Sequence, residues 1–342
     1  MKQNINWGII GLGKVATVFA ESFKGLENAK LMSISSKNQH KLKIFKGKLH
    51  INQKYCFDNY EDLLNCADVD IVYIALPNSL HHEWIVKCIE KKKNILVEKP
   101  ATMNLDEIED IKIKLNNKKL FFTEAFMYRY APHISKLIEL IKTDKIGRPV
   151  SMESNFGKNI LIKKNIFGFN KKKKIDEENR IYNKELGGGA ILDLGCYPVS
   201  LSTLIASTFS NVNYDKIKVL EKSKEIGITD VDLDSYAKLE FEKDFTSKIR
   251  ASFSKDLGDT TIVIGTKGKI TIKNTWHANP ATIIIEGETD QKLEIDCKNN
   301  IYSYEIESIS KSILNKSLES NFPNLSIDEI IGNTKILEKW LS

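Results

Sequence analysis

The feature that most restricts this chain lies near its start. An apolar run at residues 5–10 leads into Gly11-Leu12-Gly13-Lys14-Val15-Ala16, and residues 15–23 then have helical spacing. The pattern is G-x-G-x-x-A between a strand and a helix. Gly11 allows a tight turn, Gly13 lets the backbone approach a pyrophosphate, and Ala16 lets the helix pack closely on the strand. The helix start at Gly13, Lys14 and Val15 presents unpaired N–H groups and the positive end of the helix dipole to phosphate oxygens. In this strand-to-helix context the motif predicts a dinucleotide site, not merely a structural turn.

Which dinucleotide is bound depends on the end of the second strand. A domain that prefers NAD usually carries Asp or Glu there, bonded to the ribose 2′-hydroxyl. Here the segment reads Ser33-Ile34-Ser35-Ser36-Lys37-Asn38, with no carboxylate. A hydroxyl and a cation at Ser36 and Lys37 suit a 2′-phosphate, so the expectation is NADP, with NAD possible if Lys37 is ordinary surface lysine.

Residues 31–35, 70–75, 94–97 and 120–124 read as further strands, and 39–49, 80–90 and 105–115 as helices. Such alternation predicts a parallel sheet with right-handed crossovers. After about Tyr128 the texture changes. A helix at 133–142 is followed by period-2 strands at 149–156, 235–241, 247–254, 260–265 and 269–273, with Thr266, Lys267 and Gly268 turning between the last two. Consecutive strands with short turns point to an antiparallel sheet. Residues 302–314 and 327–340 read as amphipathic helices, with Trp340 in the core. The expected division is a dinucleotide-binding domain over 1–126 and a substrate-binding and dimerisation domain over 127–342, the last helix packing back on the first domain. The polar, Lys-rich stretch 167–184 reads as a mobile loop.

The net charge of +6 is modest, and both signs are interleaved along most of the 342 residues. The basic runs 91–93 and 171–174 read as solvated surface, so no nucleic-acid partner is expected. The five cysteines are widely spaced, with neither a disulfide framework nor metal-ligand spacing. Reduced thiols fit a cytoplasmic protein. The polar start has no signal-peptide pattern, and no unbroken apolar stretch reaches the roughly 18 residues of a membrane span.

Two further clusters carry chemistry. The strand at 94–97 runs into Glu98-Lys99-Pro100. A lysine at the carboxyl end of a parallel strand faces the crevice where ligands bind in open α/β sheets, and Pro100 keeps it out of helical geometry. The second cluster is Gly187-Gly188-Gly189-Ala190-Ile191-Leu192-Asp193-Leu194-Gly195-Cys196-Tyr197-Pro198. On a helix, Asp193 and Tyr197 share a face. Pro198 predicts a kink or restart there. Taken singly, the glycines read as a flexible loop end and Asp193 as a helix-terminal carboxylate.

In combination these motifs, with Leu76-Pro77-Asn78-Ser79-Leu80-His81 and Glu124-Ala125-Phe126-Met127-Tyr128-Arg129, resemble the Gfo/Idh/MocA family of oxidoreductases. The likeness covers nearly the whole chain and is strongest to the branch of dimeric dihydrodiol dehydrogenases and NADP-dependent D-xylose dehydrogenases. Residues 180–186 and 265–270 also resemble that branch. The resemblance implies an α/β C-terminal domain with an open, largely antiparallel sheet, whose face pairs in a homodimer or higher homo-oligomer. It carries the family's catalytic lysine to Lys99 and its aspartate to Asp193. Many relatives have histidine four residues after that aspartate; here, as in the nearest branch, it is Tyr197.

The implied reaction is hydride transfer between a nicotinamide and a carbinol carbon of a small-molecule sugar or cyclic diol. Lys99 would bind the reacting oxygen, Tyr197 relay or accept its proton, and Asp193 tune Lys99 and hold a second hydroxyl, unless the lysine and tyrosine exchange these roles. A phenol with a pKa near ~10 needs a neighbouring cation to act near neutral pH. Leu76, Pro77, Asn78, His81 and Glu98 are expected beside the cofactor, Asn78 at the nicotinamide ribose. His81 and His82 also suit plain helix-start packing. Tyr128 and Arg129 are candidates for the substrate crevice, unless Arg129 pairs with a carboxylate. Trp276 and His277 are candidates for a pocket or a dimer interface. Residues 160–178 depart from the family in sequence and charge, which leaves the substrate open. The alternative is a non-catalytic NADP-binding regulator of the same fold; Lys99, Asp193 and Tyr197 together argue against it.

Overall fold

Apolar strands that must be buried on both faces alternate with helices long enough to cross back over them, and in the first part of the chain this produces one parallel sheet. A computed structural model describes residues 3–164, 169–277, 280–318 and 322–342. Its strands are β1 (Ile5–Ile10), β2 (Ala29–Ser35), β3 (Cys56–Phe57), β4 (Ile71–Ile74), β5 (Asn94–Glu98) and β6 (Phe122–Ala125). The crossovers are α1 (Lys14–Glu21), α2 (Gln39–Leu49), α3 (Tyr60–Asn65), α4 (His81–Glu90) and α5 (Leu105–Leu115). Strand order is β3-β2-β1-β4-β5-β6, parallel throughout. The order reverses between β1 and β4, and ligands bind beyond the strand ends at such a switch point. Within this first sheet and its crossovers, β3 and α3, both very short, escaped the periodicity.

Contacts divide the chain into two units, residues 1–131 with 298–331 and residues 132–297 with 332–342. The second unit starts with α6 (Pro132–Lys142) and β7 (Pro149–Gly157), followed by the two-stranded ribbon β8 (Ile162–Lys164) and β9 (Asn170–Lys172). Next come α7 (Cys196–Ser207), β10 (Lys218–Ile226), β11 (Asp232–Phe241) and β12 (Phe245–Ser252). The remaining strands are β13 (Thr261–Gly265), β14 (Lys269–Lys273), β15 (Ala281–Glu286) and β16 (Gln291–Ile295). The eight-stranded sheet runs β10-β11-β12-β7-β13-β14-β15-β16. It is antiparallel except where β7 lies parallel to β12.

Alternation along these strands buries Met152, Ile249, Leu239, Val263 and Ile272 on one face. Helix α7 packs against β7 and β12 and α6 against β15. All of α7 from Cys196 to Ala206 is buried, so its apolar sequence is that of a core helix. Strand β10 is edge-lying and lysine-rich, so its charges hide the alternation that marks its neighbours. The Lys-rich stretch holds β9 and two 3₁₀ turns, Arg180–Tyr182 and Lys184–Leu186; Phe167 and Gly168, where the loop was expected to begin, lie outside the described residues.

The expected boundary at residue 126 differs from this division, and the reason is α8 (Ile301–Leu314). Ile306 and Ile309 sit in the same core as Trp7, Ile9, Phe19 and Tyr73, and the Trp7 indole N–H donates to Ser310 Oγ at 2.9 Å. This returning helix closes the first unit. The final helix, α9 (Ile327–Leu341), instead belongs from Gly332 onward to the second. There Trp340 is fully buried, donates to the Tyr236 carbonyl at 3.0 Å, and lies against Gly195. Trp340→Ala is expected to cost about 3–5 kcal/mol, the usual toll for emptying a buried aromatic site. Urea unfolding that finds less than 1 kcal/mol would show that the ring is dispensable.

Candidate functional site

The cofactor motif sits where three strand ends meet. Gly11 N–H donates to the Ser35 carbonyl at 3.1 Å and Ala75 N–H to the Ile10 carbonyl at 2.9 Å. Gly11 has φ +87°, and a β-carbon there would stand 2.5 Å from the Ala75 carbonyl oxygen and 2.7 Å from Leu76 Cδ2. Both the conformation and the close approach require glycine. Gly13 differs: a β-carbon on it would meet no atom of the described residues within 4 Å. Packing therefore does not demand this glycine, and open space lies at the start of α1, which no side chain caps. Lys14 and Val15 open that helix, and Ala16 is fully buried under it. An open, uncapped helix start beside a glycine crossing fits a dinucleotide pyrophosphate.

At the end of β2, Ser36 is buried and its Oγ accepts from Asn38 N–H at 3.1 Å. Lys37 is exposed, with its ammonium 5.7 Å from the centre of the Tyr60 ring. After β4, Leu76 and Asn78 are buried and Pro77 is half-buried. His81 has no exposure: Nδ1 lies 2.9 Å from the Pro100 carbonyl oxygen and Nε2 3.0 Å from that of Leu76. A fully buried ring held by two carbonyls ties the Leu76 loop to the Lys99 loop, which accounts for His81 without a cofactor contact. His82 bonds Asp110 of α5 at 2.7 Å.

Lys99 is half-buried at the end of β5, before a cis bond to Pro100. Glu98 accepts from the Tyr73 hydroxyl. Glu124, at the end of β6, is buried, and its Oε1 accepts from Ala101 N–H at 2.8 Å. Burial pushes the Glu124 carboxyl up to about 7, against the Ala101 hydrogen bond and the charges of Arg129 and Lys99, with Glu98 adding to the rise. Tyr128 is fully buried edge-on to Phe126. Arg129 is fully buried as well; it donates to the Pro323 carbonyl at 2.9 Å and pairs with Glu329 at 3.2 Å. This pairing explains the arginine without a substrate contact.

Asp193 and Tyr197 belong to the second unit. The kink expected near Pro198 is a π-helical turn, Ile191–Gly195, running directly into α7. Such turns concentrate at functional sites. Gly187, Gly188 and Gly189 are packed, contrary to the reading of a flexible loop end. Gly189 has φ +110°, and a β-carbon there would collide with Asp232 Oδ1. The buried Asp232 carboxylate accepts from Ile191 N–H and Ser235 Oγ, each at 2.8 Å, and so holds the start of the turn. Asp193 accepts from Arg180 at 3.1 Å. Tyr197 is nearly buried, with its ring 5.1 Å from Phe156 and 5.5 Å from Trp276. Phe156 also stacks on Trp276 at 5.8 Å and meets the exposed His277 at 5.7 Å. An aromatic wall thus stands beside Tyr197. Asp232 and Phe156 escaped the sequence reading because Ile191 and Tyr197, which they meet, lie in other elements, about 40 residues away in sequence. Glu124 had a signal: a carboxylate ending an apolar strand.

Residues 5–126 match the family model described as "Oxidoreductase family, NAD-binding Rossmann fold", and residues 134–271 match "GFO/IDH/MocA C-terminal domain". The chain belongs to the Gfo/Idh/MocA family of oxidoreductases. It is similar to the trans-1,2-dihydrobenzene-1,2-diol dehydrogenase of Xenopus tropicalis, 25% identical over 338 residues, covering 96% of this chain and 94% of the relative. The Homo sapiens enzyme of that name is 23% identical over 344 residues, covering 98% and 95%. Among solved structures, aldose-aldose oxidoreductase from Caulobacter crescentus, complexed with glycerol, superposes with a TM-score of 0.84 at 20% identity, covering 99% of this chain and 97% of that one. The 3-ketoreductase KijD10 from Actinomadura kijaniata, in complex with NADP and TDP-benzene, gives 0.81 at 19% identity, covering 98% and 96%. This family member is a dehydrogenase-type enzyme whose first unit is an NAD(P)-binding Rossmann domain.

Gly13→Ala should leave the urea midpoint nearly unchanged while weakening NADP(H) binding at least about tenfold, because the methyl occupies the phosphate's approach. Gly11→Ala should instead destabilise the fold by roughly 2 kcal/mol or more. Equal effects of the two on stability would contradict the assignment. Glu124, whose ordinary value is 4.5, keeps its proton in the folded chain up to about pH 7. Its contribution to stability is full below pH 4.5 and is lost as the pH rises through about 7. Glu124→Gln should therefore lessen the fall in Tm between pH 5 and pH 8, as scanning calorimetry would measure.

Proposed function

We propose that the enzyme transfers hydride between NADP and a carbinol carbon of a ring-shaped polyol, a sugar or a cyclic diol. The observation that carries this reading is the placement of Tyr197 against Phe156 and Trp276, one π-helical turn after Asp193. Aromatic faces suit the apolar face of a sugar ring or an unsaturated ring, while the phenol and carboxylate suit its vicinal hydroxyls. The named activities of the relatives and structural neighbours, on diols and sugars, agree with this class.

When bound, the nicotinamide takes or gives the hydride. Lys99 binds the reacting oxygen and stabilises the negative charge that develops there. Tyr197 relays the hydroxyl proton, and Asp193, oriented by Arg180, holds the neighbouring hydroxyl. Ser36 and Lys37 take the 2′-phosphate, with Gly11, Gly13 and the start of α1 at the pyrophosphate and Asn78 at the nicotinamide ribose. We further propose a homodimer formed through the open face of the eight-stranded sheet, where Ile264 is exposed. The proposed site of action is the cytoplasm, where five free cysteines stay reduced.

A screen of aldoses and trans-dihydrodiols, following NADPH absorbance with both cofactors, tests the reading. Lys99→Met and Tyr197→Phe are each expected to slow single-turnover hydride transfer by about 100-fold or more. Wild-type rates in Lys99→Met would refute the mechanism. Lys37→Ala should lower the preference for NADP about tenfold, near the worth of one charge-assisted contact.

A further inference from the structure

Helix α6 buries His133, Ile134, Leu137, Ile138, Leu140 and Ile141, and His133 is the only polar side chain in that set. A leucine or phenylalanine fills an apolar site without the cost of burying an imidazole. The histidine is fully buried, and its Nε2 lies 2.8 Å from the Thr275 carbonyl oxygen. A carbonyl only accepts, so Nε2 carries the proton and, in the neutral ring, Nδ1 is bare. Nδ1 is buried too, with no hydrogen-bond partner among the described residues. One nitrogen stands idle while the other holds a single carbonyl, a costly arrangement unless that carbonyl matters.

Thr275 is fully buried, and its polar groups are tied to separate segments. Its N–H donates to the Asp259 carbonyl at 2.9 Å, in the connection from β12 to β13. Its hydroxyl donates to Thr261 Oγ1 of β13 at 3.1 Å, and that oxygen lies 2.7 Å from Ser154 Oγ of β7. Its carbonyl is the group that His133 holds. The next residue is Trp276, whose indole N–H donates to the Asn155 carbonyl of β7 at 3.0 Å. The Trp276 ring stacks on Phe156 and meets Tyr197 edge-on. Chain just beyond a strand end is ordinarily mobile; beyond β14 these anchors fix it where the aromatic wall is built. Among them, His133 alone reaches in from a helix.

We propose that His133 is a positioning residue for Trp276: by holding the Thr275 carbonyl it sets the place of the aromatic wall on which a ring-shaped substrate lies. A neutral imidazole suffices for this. Burial holds the His133 ring below its ordinary 6.5, against the Thr275 bond and the facing charge of Asp259. The anchor therefore keeps one state at and above neutral pH.

This inference rests on the reading of Phe156, Trp276 and Tyr197 as the platform for the substrate ring, so its test begins with readouts that need no substrate. In fluorotryptophan-labelled protein, the fluorine resonance of Trp276, assigned by its loss in Trp276→Phe, reports the place of that ring. His133→Leu should shift it and leave the resonances of Trp7, Trp84 and Trp340 where they are. His133→Gln, whose amide N–H reaches the same carbonyl, should restore the wild-type position. An unmoved Trp276 resonance in His133→Leu overturns the proposal, as does an equal shift in both variants. Nitrogen NMR of the wild-type histidine decides the matter even if His133→Leu fails to fold: the proton should sit on Nε2, and a bare Nε2 overturns the proposal. In turnover, His133→Leu should raise KM for the sugar or diol about fivefold at unchanged kcat, the worth of one aromatic contact. His133→Gln should keep the wild-type KM. If no sugar or diol is turned over, the functional reading fails while the fluorine and nitrogen results still decide the role of His133. If turnover is found and His133→Leu keeps the wild-type KM, the positioning role fails alone.

Discussion

At Gly11 the chain turns with its α-carbon so close to the carbonyl of Ala75 that no side chain fits between them. The amide of Gly11 is held by Ser35, and the amide of Ala75 by Ile10. The exits of β1, β2 and β4 are thereby fixed to one another by backbone bonds, which no surface substitution disturbs. The start of α1, the Ser36–Lys37 corner and the Leu76–Asn78 loop all leave from this junction. The cofactor-binding architecture of the first unit follows from that single close approach.

A second constraint in the same unit is the burial of acids. Glu124 and Glu305 are both buried, and among the described residues Glu305 has no hydrogen-bond partner for either carboxyl oxygen. Burial, with the Glu98 charge beside it, pushes the Glu305 carboxyl well above its usual range. A carboxyl held protonated is compatible with the apolar contact through which α8 closes the sheet. Tyr73, stacked on Phe19 and donating to Glu98, links this acidic group to the aromatic core. Packing and chemistry therefore share side chains at the exits of β4, β5 and β6.

In the second unit the candidate residues Asp193 and Tyr197 sit on a helix that departs from α geometry. Asp232 holds the start of the π-helical turn, Gly189 leaves room for that carboxylate, and Trp340 lies against Gly195 from the other end of the chain. The turn is thus braced by residues from three separate segments. Tyr197 emerges at its end into the aromatic wall of Phe156 and Trp276.

Local signals carried much of this far in advance. The glycine motif, the alternation of strands and helices, Lys99 before Pro100, and the Gly187–Pro198 stretch were legible because each depends on neighbours within a few residues. Strand β10 was not legible, since its lysines suit an exposed edge and erase the period-2 pattern. Residues 298–331 were expected in the second domain, whereas contacts group them with the first unit, because grouping depends on what a helix packs on; Trp7 finds Ser310 across 303 positions of sequence. The buried pairing of Arg129, the support of Tyr197 by Asp232 and the grip on the Pro100–Ala101 peptide are likewise contacts between distant segments. By itself, the sequence determined the fold class and the dinucleotide motif and nominated the candidate reactive side chains, which are properties of short spans of chain. Tertiary structure alone decided which of those side chains are spent on packing and which carboxyls keep their protons, because burial and charge proximity exist only once distant segments have come together.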